Sequence, residues 1–197
     1  KSAEDAREIY AQAGQELAAL GFRVNMGPVL DLDDPNNPAI GKYGRAFSDD
    51  PDRITAYGRA FLEGFGRAGI FCAAKHFPGQ GKATSDSHDR PADITQTWTE
   101  EELTPYARLI AERRAPDMIM MGHLRVDSID GSTLPATVSR AIVTDLLRKR
   151  LGYDGIIMTD DIDMEAVRAV MNRKEALIEA LAAGNDLIMI KNLFRYD

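Results

Sequence analysis

Short apolar runs alternate with longer stretches of helical periodicity along this chain. The runs cover residues 24–30, 70–76, 117–122, 155–158 and 186–190, and helical patterns between them include 51–68, 100–113 and 139–150. Residues 1–22 carry a further amphipathic helical pattern. Ser139 stands where a helix N-cap is expected, and Gly69, Gly152 and Gly184 each come after a helix where a left-handed residue would end it. Strands that read as continuous apolar runs, separated by helices, predict a parallel sheet covered on both faces. Five βα units are counted.

An open doubly wound sheet and a closed barrel both satisfy that pattern. The choice rests on polar residues at the C-terminal ends of four of the runs: Asp31 after GPVL, Lys75-His76 after FCAA, His123 after MIMMG, and Asp160-Asp161 after GIIMT. Polar groups at the C-terminal ends of many strands converge on one point when the strands form a ring. An open sheet would concentrate its site at a single switch point. The expectation is therefore an α/β fold, a partial TIM-like (β/α)8 barrel. A complete barrel needs eight units and about 250 residues, so roughly three units are expected outside this chain. Its start without Met and its abrupt end at NLFRYD suggest a piece of a longer protein.

Composition narrows the function classes. The 197 residues carry 24 basic and 31 acidic side chains, a net charge of -7. That balance argues against a nucleic-acid partner, which would want clustered Lys and Arg. The one basic cluster, Arg148-Lys149-Arg150, ends a helical pattern and suits the helix dipole there. No apolar run is long enough to span a bilayer, so no membrane partner is expected. The single cysteine, Cys72, excludes an internal disulfide framework and fits a reducing, cytoplasmic location. Oligomeric state is not legible.

Two stretches carry most of the candidate chemistry. In GIIMTDDIDM a buried strand delivers Asp160 and Asp161 to the barrel mouth. Asp161 or Asp163 could instead cap the next helix, but two adjacent carboxylates need separate partners, and the pattern favours a catalytic role for Asp160. In KHFPGQGKATSDSHD, Lys75 and His76 come after a strand and point at the pocket rim. Pro78, Gly79 and Gly81 read as a turn and hinge, and Asp86 lies two positions before His88, near enough to fix its tautomer. An Asx turn beside a surface His is the plainer reading of that pair. Arg45, in an Asn/Pro-rich loop, could hold sugar hydroxyls or a carboxylate. His123 is as readily a satisfied strand-end histidine as a pocket residue, and Trp98 reads as structural.

In order along the chain, NMGPVLDLDD with IGKYGRAF, then KHFPGQG, DSH and GIIMTDDIDM resemble the bacterial β-N-acetylhexosaminidases of glycoside hydrolase family three. The resemblance runs over nearly the whole chain. It implies Asp160 as nucleophile, His88 as general acid/base, Asp86 as the carboxylate that orients it, and Lys75, His76 and Arg45 as groups holding a terminal N-acetylglucosamine. His123 and Asp161 are further pocket candidates. It also implies a retaining mechanism on a carbohydrate substrate, peptidoglycan-derived or related, with neither cofactor nor metal. Gln80 departs from the family's usual His. The family's first three strands, with their D-Q-E-G-G-like segment, have no counterpart here. Residues 1–197 thus correspond to the C-terminal part of a single barrel, strands four to eight, expected to be weakly active or inactive alone, with two exposed sheet edges. A β-glucosidase or a phosphorylase of the same family is the near alternative. A barrel metallohydrolase using His76, His123 and Asp160 is a remoter one, as is a non-catalytic sugar-binding barrel.

Overall fold

The computed structural model of the chain describes residues 2–87 and 92–191. The strands are β1 (Val24–Asn25), β2 (Phe71–Phe77), β3 (Ala92–Asp93), β4 (Met118–Met121), β5 (Leu124–Arg125) and β6 (Ile156–Thr159). The helices are α1 (Ala3–Ala19), α2 (Pro51–Arg67), α3 (Thr104–Ala111), α4 (Asp127–Asp130), α5 (Glu165–Arg168) and α6 (Arg173–Ala183), with a π-helix at Ala141–Arg150.

Among the described residues, the main sheet has the order β1-β2-β4-β6, every pair parallel. The fifth apolar run joins it through a parallel bridge from Leu187 to Met158. The five runs therefore lie side by side in chain order with helices between them, a partial α/β barrel as expected. β1 is shorter than its apolar run, because Pro28 has no N–H to give the ladder. Pairing still continues beyond it: the Lys75 N–H donates to the Pro28 carbonyl at 2.9 Å, and the Leu30 N–H to the Lys75 carbonyl at 2.8 Å.

Period-two alternation divides the strands between two faces. Ala74, Phe77, Ile119, Met121 and Ile157 pack outward into the main core with Tyr106, Leu109, Ile142 and Leu147. Ala73, Met118, Met120 and Met158 form a second cluster on the opposite, inner face, with Met189 against it. At the N-terminal ends of the strands this inner face opens to solvent: Phe71 is 55% and Ile156 45% exposed.

The helices differ from expectation in detail. The 100–113 pattern divides into a 3-10 turn, Glu100–Leu103, and then α3, whose first turn contains Pro105. Proline is tolerated there because a first-turn N–H has no helical partner. The Ser139 hydroxyl donates to Asp130 and accepts the Ile142 N–H at 3.4 Å, so it caps the first turn as expected, although the π-helix itself is bounded by Arg140. Gly69, Gly152 and Gly184 do take positive φ, at 71°, 70° and 110°.

α1 begins with a capping box between Ser2 and Asp5 and docks on α2. Across the contact the Tyr10 ring packs tilted on Phe61 and stacked on Phe65, ringed by the pairs Arg7–Glu63 and Arg67–Glu8. The helices approach closely because Gly64 faces α1: a Cβ there would lie 2.6 Å from the Tyr10 Cβ and 2.7 Å from the Arg7 carbonyl oxygen. Gly64→Ala is expected to wedge the pair apart and destabilise by about 1–3 kcal/mol, read as a lower denaturation midpoint. An unchanged midpoint would mean the contact adjusts without cost.

Candidate active site

The C-terminal ends of β1, β2, β4 and β6 bring together residues far apart in sequence. At their centre is Asp31, fully buried just past the β1 run. Its Oδ1 accepts the His76 N–H at 3.0 Å and the Gln80 N–H at 2.9 Å, and its Oδ2 lies 2.7 Å from His76 Nδ1. A carboxylate partner fixes Nδ1 as the protonated nitrogen of that ring. The pairing of β2 with β4 shifts register between Lys75 and Phe77, placing His76 at a bulge. Bulges of this kind re-aim side chains beside functional sites.

Lys75 is half-buried, and four influences act on its ammonium. Burial pushes its pKa below the usual lysine range and the Arg45 charge pushes the same way, while Asp160 and Asp31 pull it back. These charges therefore share one region. Arg45 is half-buried, with Nη1 donating to the Ala39 carbonyl at 2.9 Å. Its loop is anchored by Asn37, whose Oδ1 accepts the Ala39 and Ile40 N–H groups. The Asn37 Nδ2 donates to the Gln80 and Gly81 carbonyls at 2.6 and 2.8 Å.

The acidic pair after β6 divides its tasks. The Asp160 N–H donates to the Met121 carbonyl at 3.0 Å, and Asp160 Oδ1 accepts the Asp161 N–H at 2.7 Å. Asp161 Oδ1 accepts the Asp163 N–H at 3.2 Å and the Lys191 N–H at 3.1 Å, so this carboxylate serves the local turn. His123 is buried with both ring nitrogens engaged: Nε2 donates to the Asp161 carbonyl at 2.9 Å, and Nδ1 faces the Thr137 hydroxyl at 2.8 Å. Burial holds its pKa below the usual histidine range, against the opposing pull of Asp160. His123 is thus a neutral strut behind the acidic pair. Among the described residues, no three of His, Cys, Asp or Glu converge as metal ligands would. Cys72 is buried, which pushes its thiol up to about 12.

The loop after β2 differs from the hinge expected of its glycines. Gly79 has φ 113°, and a Cβ on it would fall 2.4 Å from the Glu102 Cβ; one on Gly81 would fall 2.3 Å from the Leu32 carbonyl oxygen. Both glycines are there because neighbouring atoms leave no room for a side chain. The Trp98 indole N–H donates to the Pro78 carbonyl at 3.0 Å, and the Gln80 side chain reaches Ser87 Oγ at 3.4 Å. Asp86 is half-buried farther along this loop, and His88 lies outside the described residues. Sequence reasoning noted Asp31 as a strand-end group without giving it a role. It passed over Asn37 and Glu102 entirely.

Glu102 is wholly buried. Its Oε2 accepts the Leu32 N–H at 3.3 Å and its Oε1 the Lys82 N–H at 3.0 Å. Burial, with the Asp31 charge adding to it, pushes this carboxyl up to about 8 from an ordinary 4.5.

The chain matches the family model described as glycosyl hydrolase family 3 N-terminal domain over residues 1–195. It is 36% identical over 199 residues to β-hexosaminidase A of Pseudoalteromonas piscicida, covering 94% of this chain and 33% of that protein. It is 34% identical over 180 residues to a β-hexosaminidase of Chromobacterium violaceum, covering 90% and 49%. Among solved structures, a family 3 β-N-acetylglucosaminidase from Paenibacillus sp. str. FPU-7 superposes with a TM-score of 0.89 at 35% identity, covering 95% of this chain and 36% of that one. A β-N-acetylhexosaminidase from Beutenbergia cavernae gives a TM-score of 0.89 at 29% identity, covering 96% and 57%. The chain thus spans about a third to a half of these two curated relatives.

Glu102 carries a stability prediction. A carboxyl whose folded pKa is raised stabilises fully below its unfolded value, and that contribution is lost as pH rises through the folded value. The contribution should therefore fade between pH 4.5 and about 8. Denaturant midpoints measured at pH 5 and pH 9 should differ less in Glu102→Gln than in the wild type. An equal difference in both would place the titrating group elsewhere.

Proposed function

Because the chain belongs to glycosyl hydrolase family 3, we propose that the protein containing it is a retaining β-N-acetylhexosaminidase that releases terminal β-linked N-acetylglucosamine from peptidoglycan-derived or related glycosides. Residues 1–197 form the C-terminal part of its catalytic barrel. The observation that carries this reading is the shared mouth: Asp31 holds the His76 ring at 2.7 Å at the end of β2, and the Asp160 N–H is tied to the end of β4 through the Met121 carbonyl at 3.0 Å.

In this mechanism Asp160 attacks the anomeric carbon, and the glycosidic bond breaks as the new ester bond forms. His88 gives its proton to the leaving oxygen. Water then attacks the glycosyl-enzyme and loses a proton to His88, which frees Asp160 and yields the sugar with retained configuration. An imidazole suits this role near neutral pH without heavy burial. Asp86, two positions before it, would hold the ring's tautomer. Lys75, Arg45 and the Asp31-held His76 grip the sugar hydroxyls and acetamido group. Asp161 and His123 fix the backbone that carries the nucleophile.

The test is kcat/KM of the full-length protein for an aryl N-acetyl-β-glucosaminide against the matching aryl β-glucoside. A strong preference for the aminosugar is expected, and Asp160→Ala should lower kcat by roughly three orders of magnitude or more. Preference for the glucoside, or a variant that keeps near-wild-type kcat, would contradict the assignment.

A further inference from the structure

Glu102 is a buried acid of this region that the proposed chemistry leaves without a task. It sits in the 3-10 turn before α3, and its two oxygens join two different loops. Oε2 takes the Leu32 N–H from the loop after β1, the loop that leads to Arg45. Oε1 takes the Lys82 N–H from the loop after β2, the loop that leads to Asp86. We infer that Glu102 is a positioning residue: it latches these two loops together and thereby fixes the point from which the chain runs on toward Asp86.

Three features support the latch. Two backbone donors converge on one side chain, and only a carboxyl group offers two acceptor oxygens; an amide would meet one N–H with an acceptor and the other with an NH2 group. The path is also closed sterically, since a Cβ on Gly79 would collide with Glu102 itself and one on Gly81 would lie 2.8 Å from Oε1 and 2.6 Å from the Leu32 nitrogen. The loop is thus moulded onto the carboxyl. Finally, the latch stands beside the Asp31 anchor, whose Oδ1 takes the Gln80 N–H of the same loop. Asp31 pins the start of the loop and Glu102 pins it two residues later, so the stretch toward Asp86 departs from a fixed point. A misplacement of about 1 Å in such a segment costs up to a hundredfold in rate.

The positioning role rests on the proposed function, but the latch does not, so two readouts separate them. In the full-length protein, Glu102→Gln and Glu102→Ala are compared with the wild type for hydrogen exchange of the amides around residue 82, and for kcat and KM on an aryl N-acetyl-β-glucosaminide. Exchange is expected to quicken in the order wild type, Gln, Ala. On the same substrate kcat should fall roughly ten- to a hundredfold in Ala and less in Gln, with KM changed less than about threefold. Unchanged exchange in folded variants would overturn the latch, whether or not the wild type is active. Quickened exchange with unchanged kcat, or with KM rising as far as kcat falls, would overturn the positioning role. A wild type that turns over no aminosugar substrate would fail the proposed function alone, and exchange would still decide the latch.

Discussion

The arrangement of the site depends on one buried carboxylate. Asp31 is removed from water, a position that a charged group holds only when its oxygens are met by donors. Three donors meet it: the His76 backbone, the His76 ring and the Gln80 backbone. Through them the end of the β1 run is tied to the end of β2 and to the first residues of the loop beyond it. The ring of His76 is oriented by the same contact, so its position is a consequence of the sheet's connectivity and not of its own rotamer preferences.

Charge is distributed around that anchor so that each group limits its neighbours. Lys75 and Arg45 repel one another across the mouth, and Asp160 and Asp31 offset the repulsion. Under the proposed function, an entering sugar would meet these cations balanced by the carboxylate at the end of β6. The neutral His123 behind Asp160 and Asp161 adds rigidity without adding charge. Preorganisation of this kind stabilises developing charge without reorganisation during the reaction.

The sequence made the larger features legible for physical reasons. Five continuous apolar runs separated by amphipathic helices have few solutions other than a parallel sheet, and polar groups at the ends of four of them marked one end of it. Those groups, Asp31, Lys75, His76, His123 and Asp160, are brought to that end by the fold. The features that escaped reading depend on contacts between distant segments. Glu102 lies in a run of three glutamates, which reads as a solvated helix start; its burial comes from Gly79 and Gly81 folding over it. The same two glycines read as a hinge because φ freedom is visible in sequence and steric crowding is not. β3 and β5, each two residues long, are too short to carry any periodicity. The structural task of Asp161 is likewise invisible along the chain, because it comes from the backbone of residues 163 and 191.

The central claim is that Asp160 forms the covalent intermediate. The most direct measurement is to incubate the full-length protein with a fluorinated N-acetylglucosaminyl fluoride, whose ring fluorine slows breakdown of the ester while its good leaving group keeps formation fast, and to map the label by peptide mass spectrometry. The account predicts one added sugar, carried by Asp160. A label on Asp161 or Asp31, or turnover of ordinary substrate by a protein whose Asp160 never becomes labelled, would contradict it.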